Sequence, residues 1–459
     1  EWDHPHMPWD PTRLCMGRIA RSADGSVCGL EDVRVLAGAA GGEALVEPRW
    51  TADGRLLVIS DRCERWRIWE VLCQPEPHLV AYSMPEGEIG QPAWVFGQSS
   101  YQPLANGGCV ALSVQNGVSQ CFERMANAQA RPFAASPDQC PVALADGQFA
   151  WVQAPADALP AVVVGTAQQG VVRVLRRSAM LELQAADISC PESVHFVVDG
   201  ADAPLGHAFF YPPANSRASV SQGEKPPMIV LVHGGPTARA QGGFSFKVQC
   251  WTSRGFAVLD VNYGGSTGFG RSWRNRLQGQ WGVVDVADCI AACRHMVATG
   301  RVDPKRIAIR GSSAGGMTVL LALATSDLFA AGVSLYGVTD LRALAQETHK
   351  FEARYLDGLV GPWPEAEEVY VARSPLSVAN RIRAPVLLLQ GEEDEVVPPS
   401  QAHAMAAALR AAGVACTLHE FPGEGHGFRK EATLRQALQM ELAFYSRVFG
   451  FDPAPAGDA

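Results

Sequence analysis

From about residue 191 onward, the sequence alternates short, almost entirely apolar runs with stretches of helical spacing. A strand that is buried on both faces needs such a continuous apolar run. Strands that alternate with helices build a mostly parallel sheet with helices on both faces. The pattern therefore predicts an α/β domain over residues 191–459. Its predicted strands are Met228–Val232, Phe256–Val261, Ile307–Ile309, Gly332–Leu335, Val386–Leu389 and Thr417–Phe421.

Residues 1–190 follow a different pattern, in which short β-type runs are separated by turn signals and helical periodicity is weak. A turn leads into the largely apolar run Arg55–Arg62, and a later turn leads into Phe149–Val152. The distance from Trp50 to Trp94 is close to one propeller blade of about 40 to 45 residues. These features predict an all-β domain. A partial β-propeller is the favoured architecture, and an irregular β-sandwich is the alternative.

Composition limits the partners and the location of the chain. With 459 residues it exceeds the size at which one core stops growing, which predicts two domains. The net charge of -9, without a long basic run, argues against nucleic-acid or membrane binding. Its 12 cysteines, spread from Cys15 to Cys416, are too sparse for a disulfide scaffold, which favours the cytoplasm. The chain begins at Glu1 rather than Met, which is also what the removal of a leader would leave.

Ser313 stands between a predicted strand and an apolar, helix-like run. It is the central residue of a Gly-x-Ser-x-Gly segment, residues 311–315. This spacing is typical of a nucleophile elbow, a strained strand-to-helix turn that raises the serine hydroxyl above the sheet. An ordinary turn serine is the alternative, because so short a motif also occurs by chance.

Two further residues follow predicted strands and complete a catalytic pattern. Asp394 comes just after the strand Val386–Leu389, and His426 lies in a glycine-rich loop after Thr417–Phe421. The chain order Ser, Asp, His is the one that α/β-hydrolases use. A serine needs an imidazole to take its proton and a carboxylate to orient that imidazole. Ser313, Asp394 and His426 are therefore the predicted triad. Neighbouring acids, Glu392 and Glu393, are the rivals of Asp394.

Two glycine-rich loops follow other predicted strands. In His233-Gly234-Gly235-Pro236, the backbone N–H of Gly235 is a candidate oxyanion donor, with the N–H of Ala314 as the second. The loop 263–270 could cradle a phosphate, but it has neither a Gly-Lys-Ser/Thr ending nor G-x-G-x-x-G order. We interpret it as a wall of the active-site cleft. The histidines form no metal-binding motif, so no metal and no cofactor are implied.

These motifs together resemble the prolyl oligopeptidase family of serine peptidases, in particular its acylaminoacyl-peptidase and dipeptidyl-aminopeptidase-like bacterial members. The resemblance covers about residues 225–450. It implies a β-propeller before the catalytic domain, short peptides as substrates, an acyl-enzyme intermediate and no cofactor. It says nothing of the oligomeric state. The motifs that carry it are 233–236, 262–268, 311–316, 391–394 with Val397, and 426–428.

Two departures from the family pattern stand out. The β portion is about half the expected length, which predicts an N-terminally truncated propeller. Gln390 stands where many relatives have histidine, a position outside the triad. The resemblance further suggests a group of substrate-binding residues: Tyr336, Val338 and Val397 for the residue before the scissile bond, and Arg354 for the next subsite.

The leading functional hypothesis is a serine exopeptidase or oligopeptidase that acts on short peptides. An esterase or amidase for small molecules is the alternative, because fold and triad do not determine the leaving group. A third hypothesis, a catalytically inactive peptide-binding protein, is motivated by the short propeller. The presence of all three triad residues weighs against it.

Overall fold

In a computed structural model, the chain divides into two compact units. Unit 1 comprises Glu1–Met180 with Thr267–Ser272, and unit 2 comprises Leu181–Ser266 with Trp273–Ala459. No helix in the part of the chain that the structure describes is long and apolar enough to cross a membrane. The described residues are 1–126, 128–133, 137–181, 184–199, 205–218 and 223–451.

Unit 1 is built from antiparallel sheets. Its described residues form a two-stranded sheet, β1-β2, and three four-stranded sheets, β3 to β6, β7 to β10 and β11 to β14. Within each four-stranded sheet the strands lie side by side in chain order, as in propeller blades, which confirms the predicted partial propeller. The strands are β1 (Leu14–Arg21), β2 (Val27–Ala37), β3 (Leu45–Trp50), β4 (Leu56–Cys63), β5 (Arg65–Leu72), β6 (His78–Ala81), β7 (Tyr101–Pro103), β8 (Cys109–Gln115), β9 (Val118–Arg124), β10 (Arg131–Pro132), β11 (Val142–Ala143), β12 (Phe149–Gln153), β13 (Ala161–Thr166) and β14 (Gly170–Arg177).

The tryptophans that suggested the blade period do not occupy equivalent positions. Trp50 ends β3 and is 59% exposed. Trp94 lies outside the named strands, and its ring centroid is 4.5 Å from that of Trp9. What does recur is a strand with six consecutive buried residues, as in β4 and β8. The repeat therefore lies in buried strands, and the spacing of the tryptophans is incidental.

Unit 2 contains an eight-stranded mixed sheet among its described residues, in the order β15-β16-β18-β17-β19-β20-β21-β22. The pairs β15-β16 and β16-β18 are antiparallel, and the remaining neighbours are parallel. This arrangement confirms the predicted α/β fold. The strands are β15 (Glu192–Phe196), β16 (Gly206–Tyr211), β17 (Met228–Val232), β18 (Ala257–Asn262), β19 (Ile307–Ser312), β20 (Ala331–Leu335), β21 (Val386–Gly391) and β22 (Cys416–Phe421).

Helices connect the parallel strands, so the loops after β17, β19, β21 and β22 all leave the same, carboxyl edge of the sheet. Ligands of open α/β sheets bind at this edge. The α-helices are α1 (Phe246–Thr252), α2 (Arg271–Asn275), α3 (Val284–Ala298), α4 (Ala314–Thr325), α5 (Leu341–Glu347), α6 (Tyr355–Leu359), α7 (Glu367–Arg373), α8 (Pro399–Ala411) and α9 (Glu431–Phe449). Short 3₁₀ helices span Ala145–Gly147, Ala185–Asp187, Lys350–Glu352 and Pro375–Arg381.

A buried ion pair joins the strand that precedes Ser313 to the last helix. Arg310 of β19 donates to both carboxylate oxygens of Glu441 in α9, at 2.6 and 3.0 Å. The side chains are 9% and 0% exposed, respectively. The neighbouring aromatic packing is tight, since the ring centroid of Tyr445 lies 5.5 Å from that of Trp251. Because both charges are shielded from water, each depends on the other for its solvation.

Glu441→Gln is expected to lower the free energy of unfolding of unit 2 by about 3 to 5 kcal/mol, because it leaves the Arg310 guanidinium buried without a counter-charge. Urea denaturation followed by circular dichroism measures the loss. The double variant Arg310→Met with Glu441→Leu should recover most of it, since it buries no charge. A single variant as stable as the wild type would show that the pair contributes nothing.

Candidate active site

Ser313 occupies a strained turn between β19 and α4. Its φ of 55° and ψ of -123° lie where side-chain-bearing residues are rare. Such a conformation costs about 1 to 3 kcal/mol, which the surrounding contacts must offset. One of these contacts is the hydrogen bond from the Ser313 backbone N–H to the carbonyl oxygen of Leu335, at 3.0 Å. The predicted nucleophile elbow is therefore the local geometry that the structure shows.

The glycines on either side of Ser313 are required by close backbone contacts. A Cβ atom at Gly311 would lie 2.3 Å from the carbonyl oxygen of Gly315. A Cβ atom at Gly315 would lie 2.4 Å from the carbonyl oxygen of Val232. Both distances are far shorter than a van der Waals contact, so the turn can close only with glycine at these two positions.

The structure brings the three predicted triad residues into one chain of hydrogen bonds. Nε2 of His426 lies 2.8 Å from Oγ of Ser313. Nδ1 of the same ring lies 2.9 Å from Oδ2 of Asp394. With the proton on Nδ1 donated to the carboxylate, Nε2 is free to accept the serine proton. The arrangement can thus convert a neutral hydroxyl into a nucleophile.

The side chain of Asp394 is hydrogen-bonded to the backbone of its own loop, whereas those of Glu392 and Glu393 are exposed. Oδ1 of Asp394 accepts hydrogen bonds from the backbone N–H groups of Val396 and Val397, both at 2.9 Å. Its side chain is fully buried. Glu392 and Glu393, in contrast, are exposed. The backbone contacts hold the carboxylate in one orientation toward His426, which favours Asp394 as the orienting acid.

Gln390, which was predicted to lie outside the triad, contacts the side chain of Asp394. Its Nε2 donates to Oδ2 of Asp394 at 3.2 Å and lies 3.1 Å from the carbonyl oxygen of Val397. The side chain is buried at the end of β21. Nothing in the local sequence indicates this contact, because it depends on how the loop 391–397 folds back over the strand.

Gln390→Leu is expected to lower kcat/KM about 10-fold, because the Asp394 carboxylate loses one of its N–H donors and orients His426 less well. Steady-state hydrolysis of a single chromogenic substrate measures the change. Gln346→Leu, at an exposed position, is the matched control and should not change the rate. An effect of less than about twofold would mean that the backbone N–H groups suffice.

The candidate oxyanion loop passes close to Ser313. Gly235 has a φ of +121°, and a Cβ atom at Gly234 would lie 3.0 Å from the carbonyl oxygen of Ser312. The hydroxyl oxygen of Tyr263 lies 3.0 Å from the carbonyl oxygen of His233 and 3.2 Å from that of Pro236, so its single proton can be donated to either one. Tyr263 thereby contacts both ends of the loop.

His233 is a structural histidine. Burial lowers the pKa of its imidazole to about 4, so it is neutral at physiological pH. Its Nδ1 lies 2.8 Å from the carbonyl oxygen of Gly234, and its Nε2 lies 2.8 Å from Oγ of Ser266. The ring also stacks on that of Tyr263, with centroids 4.2 Å apart. These contacts hold the loop that carries Gly235 in place.

A small pocket lies beside Ser313, Gly235 and Ala314. Val338 and Val397, which the sequence proposed as substrate-binding residues, line it. Most of its remaining walls are apolar, and they come from Pro236, Leu344, Leu356 and Val396. The other lining residues are Trp281, Thr348, Glu352 and Tyr355; like Leu344, Leu356 and Val396, they were not singled out from the sequence.

The other two proposed substrate residues lie elsewhere. The ring centroid of Tyr336 is 5.0 Å from that of His426, so Tyr336 packs on the triad rather than in the pocket lining. Arg354 is on the surface, and its Nε donates to Asp357 at 2.7 Å. The structure thus gives Arg354 a local ion pair, and its assignment to the next subsite stays a prediction.

The sheet topology and the Ser–His–Asp geometry define an α/β-hydrolase with a serine at its nucleophile elbow. Residues 243–452 match the prolyl oligopeptidase family. The chain also resembles a solved puromycin-hydrolysing peptidase of Mycobacterium tuberculosis, at 38% identity and a TM-score of 0.90 over 99% of this chain and 68% of that one. The chain therefore belongs to the prolyl oligopeptidase family.

Curated relatives show the same similarity over part of their length. Dipeptidyl aminopeptidase BIII of Pseudoxanthomonas mexicana is 33% identical over 237 residues, which are 50% of this chain and 34% of the relative. An acylamino-acid-releasing enzyme of Arabidopsis thaliana is 28% identical over 279 residues, 57% of this chain and 35% of the relative. In each alignment, the chain covers about a third of the curated relative.

Proposed function

We propose that this chain hydrolyses amide bonds in short peptides through an acyl-enzyme intermediate on Ser313. The observation that carries the proposal is the unbroken chain of hydrogen bonds from Ser313 through His426 to Asp394, beside a largely apolar pocket. A hydroxyl activated in this way attacks carbonyl groups, and the pocket can bind the side chain that precedes the scissile bond.

Each group has a separate task in this mechanism. Oγ of Ser313 attacks the carbonyl carbon while Nε2 of His426 takes its proton, and the same proton then passes to the leaving amine. Asp394 orients His426 and stabilises its cationic form. The N–H groups of Gly235 and Ala314 are proposed to bind the oxyanion of the tetrahedral intermediate. A water molecule, activated by His426 in the same way, then releases the acyl group.

The names of the relatives support a peptidase of short substrates. They include a dipeptidyl aminopeptidase and acylamino-acid-releasing enzymes, names that support our proposal of exopeptidase activity. We also propose a cytoplasmic location, which suits 12 cysteines that are too sparse along the chain for a disulfide scaffold.

A small-molecule amidase or esterase is the second candidate. It is favoured by the likeness to the puromycin-hydrolysing peptidase, which extends over 99% of this chain. The triad serves both candidates, since the chemistry differs only in the leaving group. The short distances in the triad argue against a third candidate, an inactive peptide-binding protein.

Steady-state hydrolysis of matched p-nitroanilides and p-nitrophenyl esters tests the proposal. The anilides should carry a free single residue, a free dipeptide or an N-acetylated residue. Cleavage of any anilide supports a peptidase or amidase, because an amine leaving group needs protonation by His426. Cleavage of esters alone would replace the proposal with an esterase. Failure of the folded chain to react with a fluorophosphonate would indicate an inactive binding protein.

A further inference from the structure

The pocket beside Ser313 contains a carboxylate that the hydrolytic machinery does not use. Glu352 ends the 3₁₀ helix Lys350–Glu352 and lines this pocket together with Ser313. Its side chain is only 22% exposed, and its Oε1 lies 3.5 Å from Nε2 of His349. A carboxylate in a largely apolar pocket is costly to bury, and a cation bound in the pocket would lower this cost together with His349.

Glu352 and Ser313 line the same pocket. Burial raises the pKa of the Glu352 carboxyl, while His349 and His426 act in the opposite direction. Because the carboxylate and the nucleophile share this pocket, a cation bound at Glu352 would lie in the same pocket as the carbonyl group that Ser313 attacks.

We propose that Glu352 binds the free α-ammonium group of the substrate residue whose carbonyl group Ser313 attacks. This inference rests on the proposed peptidase function and adds its substrate class, peptides and aminoacyl amides with an unblocked N-terminus. From standard bond lengths, that nitrogen lies roughly 2.5 Å from the carbonyl carbon. An ammonium group must therefore sit beside the nucleophile, in the pocket that Ser313 and Glu352 both line.

The rest of the pocket fits this assignment. The substrate's side chain would extend between apolar walls such as Val338, Leu344 and Leu356. Thr348 lines the same pocket, and its hydroxyl oxygen is buried without a hydrogen-bond partner among the described residues. It can offer the ammonium group a second acceptor. A basic side chain directed at Glu352 is the competing occupant.

The test compares Glu352→Gln with Glu347→Gln, which removes an equal charge from an exposed position nearby. The substrates are leucine p-nitroanilide, its N-acetyl derivative and N-acetyl-lysine p-nitroanilide. The wild type should prefer free leucine anilide. Glu352→Gln should lower kcat/KM for that substrate about 10- to 100-fold, the size expected for a hydrogen bond to a charged group. Glu347→Gln should change nothing, and the acetylated leucine substrate should respond to neither variant.

The pH dependence gives a second, independent readout. An α-amino group loses its proton near pH ~8 in peptides, and the exact midpoint for an anilide can be titrated separately. The preference of the wild type for the free amine should fall as pH rises through that value. In Glu352→Gln the preference and its pH dependence should both disappear.

Several outcomes separate the two proposals. If the wild type cleaves no anilide at all, the peptidase proposal fails, and this inference fails with it. If the wild type cleaves free and acetylated leucine anilides equally, or Glu352→Gln slows both equally, only the role of Glu352 is overturned. A preference for N-acetyl-lysine anilide that Glu352→Gln removes would assign the carboxylate to a basic side chain. An unchanged rate of fluorophosphonate labelling verifies that the variant retains its folded triad.

Discussion

Ser313→Ala is expected to lower kcat about 10⁶-fold on every substrate that the wild type cleaves, the loss seen when the nucleophile of a serine protease is removed. The reason is geometric as well as chemical. Oγ is the only non-hydrogen atom lost, and it lies 2.8 Å from Nε2 of His426, the base that activates it. Backbone conformation at residue 313 should persist, because the flanking glycines and the contact to Leu335 are unchanged.

Hydrolysis rates and covalent labelling with a fluorophosphonate measure this effect together. Ser312→Ala, one residue earlier in the chain, is the matched control and should be labelled like the wild type. Unfolding curves of the two variants should coincide with each other. If Ser313→Ala kept more than about 1% of the wild-type activity, another nucleophile would have to be sought, since residual catalysis without the serine is far smaller.

Asp394→Asn is expected to lower kcat about 10⁴-fold, the second largest effect. The amide can present an N–H group to Nδ1 of His426 where the carboxylate accepted one, which favours the tautomer whose Nε2 carries the proton. That tautomer cannot take the proton of Ser313. The positive charge that develops on His426 would also lose its counter-charge.

The neighbouring acids supply controls for this variant. Glu392→Gln and Glu393→Gln remove the same charge within two residues, yet both side chains are exposed. Each should keep close to full activity in the same steady-state assay. If Glu393→Gln were the more damaging variant, the loop would run differently from the structure, and the orienting acid would have to be reassigned.

The triad could be predicted from sequence because each member follows an apolar strand. Strands that are buried on both faces can be recognised in the sequence as continuous apolar runs. A parallel sheet then brings their carboxyl ends to one edge. The order of Ser313, Asp394 and His426 then leaves few alternatives. The observed strands β17 and β20 to β22 begin within one residue of the predicted ones.

The pocket could not be predicted in the same way. Trp281, Thr348 and Glu352 reach it from helix ends and connecting segments, whose local sequence carries no periodic signal. Gln390 contacts Asp394 only because the following loop folds back. In unit 1, the spacing of Trp50 and Trp94 matched the length of a blade although the two residues do not occupy equivalent positions. What two of the four-stranded sheets share is a strand with six consecutive buried residues, β4 and β8, and such a strand does not require tryptophan at a fixed position.

The conformation of Ser313 lowers the stability of the fold at a residue that hydrolytic activity requires. Because its φ of 55° suits glycine better than a residue with a Cβ atom, Ser313 is not the most stabilising choice at this position. Selection for stability alone would replace it with glycine and gain part of the roughly 1 to 3 kcal/mol stored there. A chain released from the need to hydrolyse anything would therefore be expected to lose this serine early, without losing its fold. The presence of a serine rather than a glycine in so costly a conformation therefore suits a hydroxyl that is used.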